Sequence, residues 1–192
     1  ARKENWKWSA DFLIGKQLTG SRLGILGMGR IGRALAKIAK SFGMEIHYRN
    51  RSRLSPEIEN GAKFHESIKS LFCVSDVLSI CCPATKETKN IINKETLEYF
   101  PTGAIITNVA RGDMIEDDAM VEALNNRKIY AIGLDVYKGE PKINSGYLNQ
   151  PTAFILPHLG SATKKTRTAM ADLAISNIDE FFNTGKCKNT IN

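Results

Sequence analysis

Residues 22–53 constrain this chain more than any other stretch. An apolar run, Leu23 to Leu26, leads straight into Gly27-Met-Gly29-Arg-Ile-Gly32. Ile31, Ala34, Leu35, Ile38 and Phe42 then recur at helical spacing and are expected on one face of a helix. Gly43 stops that helix, and a second apolar run, Ile46 to Tyr48, follows. Strand, glycine turn, helix and strand in this order make a dinucleotide fingerprint. Gly27 permits the tight turn out of the strand. Gly29, with no Cβ, lets a pyrophosphate approach the backbone, and Gly32 lets the helix pack closely on the sheet. The first-turn N–H groups, those of Arg30 and Ile31, hold phosphate oxygens with help from the helix dipole.

The rest of the chain keeps alternating strand and helix. Short apolar runs are expected as strands near Ala62–Phe64, Val77–Cys81, Ala104–Thr107, Ala131–Asp135 and Phe154–Leu156. Helices are expected over Glu66–Val74, Asn93–Tyr99, Asp117–Asn125 and Thr163–Asn183, and a long loop through Gly139-Glu140-Pro141. Continuous apolar strands between helices predict an α/β fold, a doubly wound parallel sheet covered on both faces. Ligands of such sheets bind beyond the carboxyl ends of the strands.

Composition closes off several alternatives. The 192 residues are 42% hydrophobic and 24% charged, an ordinary globular balance. No apolar run is long enough to span a bilayer, so no membrane role is expected. The net charge of +7 is scattered, densest at Arg49/Arg51/Arg53 and Lys164/Lys165/Arg167, with no aromatic-interleaved basic patch. That pattern predicts anionic small ligands rather than nucleic acid. Cys73, Cys81, Cys82 and Cys187 have neither zinc-type spacing nor a disulfide framework, so reduced thiols, no metal and a cytoplasmic setting are expected. Residues 1–20 read as an arm whose Trp6, Trp8, Phe12 and Leu13 pack on their own domain or on a second subunit.

The end of the second strand decides the cofactor. An acid usually stands there and binds the ribose hydroxyls. Here the place holds Asn50, Arg51, Ser52 and Arg53, with no Asp or Glu from 46 to 56. Arginine pairs with a 2′-phosphate that an acid would repel, so NADP(H) is expected over NAD(H).

Arg111, Glu140 and His158 each follow a predicted strand end. Hydride reduction of a carbonyl leaves negative charge on oxygen, which needs a proton and a nearby cation. Histidine suits the proton, a carboxylate beside it favours the imidazolium, and arginine holds a substrate carboxylate through two bonds.

With these residues in view, the sequence resembles the D-isomer-specific 2-hydroxyacid dehydrogenases, nearest to their glyoxylate/hydroxypyruvate reductase branch. The likeness rests on Leu26-Gly-Met-Gly-Arg-Ile-Gly32, Asn108-Val-Ala-Arg-Gly112, Gly133-Leu-Asp-Val136, Gly139-Glu-Pro141 and Pro157-His-Leu-Gly-Ser161. It implies that Arg111 binds the 2-oxo acid, that His158 is the acid/base and that Glu140 is its partner. It implies Asp135 at the nicotinamide carboxamide, with Cys82, Pro83, Val109, Ala110 and Gly160 against the cofactor. It also implies a homodimer through the dinucleotide domain and its arm. Members carry a second, substrate-binding domain, so residues 21–183 are expected as the dinucleotide domain and 184–192 as a tail returning to the other. A cofactor domain alone is then expected to be nearly inactive. The resemblance leaves open a dinucleotide-sensing corepressor, or an NAD-linked member acting on phosphoglycerate or formate.

Overall fold

The computed structural model describes residues 9–10, 14–187 and 189–190. Trp6, Trp8, Phe12 and Leu13 of the expected arm lie outside these residues. Seven parallel strands form one sheet: β1 (Arg22–Leu26), β2 (Glu45–Arg49), β3 (Lys63–Phe64), β4 (Val77–Ile80), β5 (Ala104–Asn108), β6 (Ile129–Leu134) and β7 (Ala153–Ile155). Their spatial order is β3-β2-β1-β4-β5-β6-β7. The order reverses between β1 and β4, which opens a crevice at their carboxyl ends.

Helices cover both faces. Ala36 and Ala39 of α1 (Arg30–Ser41) join Leu23, Ile25, Met28, Ile46 and Tyr48 in one core cluster. A larger cluster joins Leu78, Ile80, Ile106, Ile132 and Leu134 to α3 (Ile68–Val74) and α5 (Asp117–Asn125) through Leu71, Phe72, Met120 and Leu124. Each buried Leu, Ile, Met or Phe side chain among these contributes about 1.5–3 kcal/mol.

Of the residues expected on one face of α1, only Leu35 packs against the core cluster. Ile31, Ile38 and Phe42 are exposed, while Gly32, Ala36 and Ala39 are buried. The glycine turn forces this choice. A Cβ on Gly32 would lie 2.4 Å from the Gly27 carbonyl oxygen and 3.0 Å from Ile25 Cγ2. Only small residues fit so close an approach, so the larger apolar side chains are turned outward.

The short helices α2 (Pro56–Glu59), α4 (Lys94–Leu97) and α6 (Ser145–Leu148) complete the connections; α6 lies in the stretch expected as an uninterrupted loop. The last helix, α7 (Lys164–Thr184), has no buried residue. Among the described residues, no helix is long and apolar enough to cross a membrane.

Candidate active site

The site is assembled at the carboxyl edge of the sheet. The chain leaves β1 through Gly27, whose φ of 99° belongs to the region that favours glycine. A Cβ there would meet the Cys82 backbone nitrogen at 2.5 Å, so the turn is pressed against the chain leaving β4. By contrast, nothing lies within 4 Å of a Cβ built on Gly29, the N-cap of α1. The first turn of α1 has no capping side chain and no acid. Open space before uncapped N–H groups fits the pyrophosphate of a dinucleotide. Cys82 packs against the larger core cluster, and burial pushes its thiol up to about 11, so it lines the cleft as an apolar group.

Asn50, beyond β2, accepts the Met28 N–H on Oδ1 at 2.7 Å. It therefore pins the glycine turn and leaves its amide nitrogen as a donor. Arg51 and Ser52 are exposed. Arg53 differs from expectation. Its guanidinium is committed to Glu59, with Nε 2.9 Å from Oε1 and a terminal nitrogen 3.0 Å from Oε2.

Beyond β5, the fully buried Asn108 shapes the next loop. Its Oδ1 accepts the Ala110 N–H at 3.0 Å and its Nδ2 donates to the Arg111 carbonyl at 2.8 Å. Arg111 leaves this loop exposed, and one guanidinium nitrogen donates to the Ala110 carbonyl at 2.6 Å. Val109 is exposed beside it.

Glu140 and His158 meet. Nδ1 of His158 lies 2.8 Å from Glu140 Oε2, and Glu140 Oε1 accepts the Tyr137 N–H at 2.9 Å. The His158 bond first, the Tyr137 N–H second and the charge of Arg111 more weakly hold Glu140 below the usual carboxylate range. The effect of Arg111 puts all three residues in one electrostatic neighbourhood.

His158 has a φ of 56°, unusual for a side-chain-bearing residue. Asp135 sustains the turn: its carboxylate accepts the Leu159 N–H at 2.6 Å and the Gly160 N–H at 2.7 Å. Such charge-assisted bonds offset a strain of about 1–3 kcal/mol. Asp135 and Gly160, both expected against the cofactor, are thus bound to each other and anchor the turn that bears His158.

Sequence reading missed Tyr137 and Gly112. The Tyr137 hydroxyl donates to the Leu156 carbonyl at 2.6 Å, bracing the strand that leads to His158. A Cβ on Gly112 would lie 1.9 Å from the Tyr137 carbonyl carbon, so the Arg111 loop sits directly on the backbone that bears Glu140. The only available signals were a tyrosine just beyond β6 and a glycine just after Arg111.

Comparison with known proteins gives the family and the fold. Residues 1–160 match the family described as D-isomer specific 2-hydroxyacid dehydrogenase, NAD binding domain. A glycerate dehydrogenase from Hyphomicrobium methylovorum is 42% identical over 184 residues, covering 94% of this chain and 57% of that protein. The structure of a glyoxylate reductase from Paecilomyes thermophila superposes with a TM-score of 0.90 at 40% identity, covering 96% of this chain and 56% of the other. An NADPH-dependent glyoxylate/hydroxypyruvate reductase from Sinorhizobium meliloti, solved with NADP and malonate, gives 0.86 at 32% identity, covering 90% and 53%. The chain spans little more than half the length of these relatives. With 160 of its 192 residues matched, the chain belongs to the D-isomer specific 2-hydroxyacid dehydrogenases, of which it carries the NAD-binding domain.

Proposed function

We propose that the protein containing this chain reduces a small 2-oxo acid of the glyoxylate or hydroxypyruvate type, with NADPH preferred over NADH. The meeting of Glu140 with His158 at the edge that carries the glycine turn supports this most directly. The bound nicotinamide supplies the hydride. Arg111 takes the substrate carboxylate and polarises the carbonyl. His158 gives its proton to the carbonyl oxygen as charge develops there, and Glu140 holds the ring in place and favours its protonated form. Asn50 and Arg51, in place of an acid, suit a 2′-phosphate.

Relatives are almost twice as long as this chain, and their remaining residues would form the other wall of the cleft. Steady-state assays of the full-length protein with glyoxylate and hydroxypyruvate, using NADPH and NADH in parallel, test the proposal. Turnover with NADPH sustains it. Cofactor binding without turnover would favour a dinucleotide sensor. These 192 residues alone are expected to bind cofactor and turn over almost nothing.

We infer further that two copies pair through the dinucleotide domain. Ile31, Ile38 and Phe42 form an outward apolar stripe on α1, and Leu18 is exposed next to Thr19, whose hydroxyl donates to the Phe42 carbonyl at 2.9 Å. Sedimentation of wild type and Ile38→Asp tests this; a dimer that the substitution leaves intact refutes it.

A further inference from the structure

The loop after β2 carries two arginines in different states. Arg53 makes the two-point pair with Glu59, whose own side chain is only 7% exposed. Glu59 Oε1 also accepts the Tyr48 hydroxyl at 2.5 Å, and that hydroxyl accepts the Leu54 N–H at 3.0 Å. Arg53 first, and the Tyr48 hydroxyl second, hold Glu59 below the usual carboxylate range. Arg51 is exposed, and it interacts at longer range with Glu87. Glu59 also lies close to the cradle. With Met28 of the glycine turn it lines a cavity of about 410 Å³ between α1 and α2.

We infer that Glu59 sets how strongly this loop takes a 2′-phosphate, by holding Arg53 and cancelling its charge. The inference rests on the adenosine ribose lying at Asn50. From there an Arg–Glu pair is nearly neutral, because the two opposite charges sit about 3 Å apart. Residues 50–53 therefore offer a 2′-phosphate one net cation, Arg51, with the Asn50 amide and the Ser52 hydroxyl as donors; Arg33, Lys37 and Lys40 of α1 line the adjoining cavity and are the same for every variant below. The second arginine of the run is a strut that fixes the loop. Glu59 is a specificity-determining positioning residue: it acts on the ligand through Arg53.

Adenosine 2′,5′-bisphosphate and 5′-AMP probe this half-site, differing only in the 2′-phosphate. Their affinities are measured by titration calorimetry. Arg51→Ala is expected to weaken the bisphosphate about tenfold, and Arg53→Ala by a similar factor, since each removes one positive charge and the second uncovers the Glu59 carboxylate. Glu59→Gln keeps an acceptor for Tyr48 but releases Arg53. It is expected to tighten the bisphosphate about five- to tenfold and leave AMP unchanged. The double variant Glu59→Gln/Arg53→Ala loses that gain.

No gain in Glu59→Gln, or an equal gain for both probes, overturns the inference. If Glu59→Gln alone does not fold, the double variant decides: a bisphosphate affinity no better than that of Arg53→Ala overturns it. A wild type that binds both probes equally defeats the NADP reading, whereas a 2′-phosphate preference appearing only in Glu59→Gln still sustains the role of Glu59.

Discussion

Nδ1 of His158 and Oε2 of Glu140 lie 2.8 Å apart, although 18 residues of chain separate them. The contact is half-exposed, with side chains 50% and 35% accessible, so solvent on this edge weakens the bare Coulomb attraction. Position, more than buried charge, is what the pair supplies: the other oxygen of Glu140 is fixed by the Tyr137 N–H.

In the full-length protein, His158→Asn is expected to lower kcat by about 10²–10⁴, the usual scale for a positioned acid, and to leave NADPH affinity unchanged. Glu140→Gln keeps a partner for Nδ1 but not its charge. Reduction should then be about tenfold slower at every pH, with the KM for NADPH unchanged, because the ring loses its charged anchor. An unchanged kcat removes Glu140 from the proton transfer.

Tyr137→Phe tests the brace. It loses the hydroxyl bonds to the carbonyls of Leu156, at 2.6 Å, and Leu134, at 3.2 Å. The expected loss of stability is about 1 kcal/mol. Because the backbone leading to His158 is loosened, kcat should fall several-fold while the KM for NADPH stays constant. A loss of stability with unchanged kcat would make Tyr137 a packing residue only.

Gly112→Ala should be far more damaging. The new Cβ would lie 1.9 Å from the Tyr137 carbonyl carbon and 2.2 Å from the Lys138 nitrogen. Both are backbone atoms, so no side chain can turn aside. A loss of about 3 kcal/mol in denaturant unfolding is expected. Gly139→Ala is a useful contrast: nothing lies within 4 Å of its Cβ, and its φ of 72° gives only local strain.

How far the chain could be read in advance depended on how local each signal is. The strands were legible because a parallel sheet covered on both faces needs continuous apolar runs. The emergence of Arg111, Glu140 and His158 at one edge was legible because each follows such a run, and position along the strand sets the edge at which a residue emerges. The facing of α1 was not legible. Amphipathic spacing shows that Ile31, Ile38 and Phe42 share a face but not which neighbour that face meets. The steric demand around Gly32 arises from Gly27 and Ile25 and exists only once the chain is folded. The commitment of Arg53 to Glu59 was hidden for a similar reason: α2, which carries Glu59, is a single turn with too few residues to show a period.

Stability should fall in two stages on acidification. Burial first, then mutual repulsion and Lys63, depress the protonation of His47; burial and Lys63 do the same for His65, and Glu45 partly opposes the effect at His47. Their rings are 2.9 Å apart, Nδ1 to Nε2. Both have folded values below unfolded ones, so the unfolded chain binds more protons. Their contribution is full above about pH 6.5 and declines as the pH falls from there toward the folded values. Asp76, held down by Arg22, and Glu59, held down by Arg53, also have depressed folded values. Their contribution is complete above about pH 4 and is lost below it. Melting temperatures from pH 8 to 3 should therefore fall first near 6.5 and again near 4. His65→Asn should reduce the first step without touching the second.

The last helix, α7, leaves its apolar side chains uncovered. Met170, Leu173, Ile175, Ile178, Phe181 and Phe182 of α7 are all more than half exposed, and no residue of the helix is buried. Helical pitch spreads them over an arc of about 200°, wider than the stripe of about 100° that seats a helix on one surface. An arc that wide can be covered from more than one side, and this chain spans 57% of the length of the glycerate dehydrogenase it matches. Leu173, Ile178 and Phe181 changed together to Asn should thus leave the melting temperature of these 192 residues within about 2 °C of wild type, since little is lost from the core. In the full-length protein, each of these side chains contributes about 1.5–3 kcal/mol if covered. The same variant should then melt well over 5 °C lower. Equal drops in both proteins would mean that α7 packs on its own sheet.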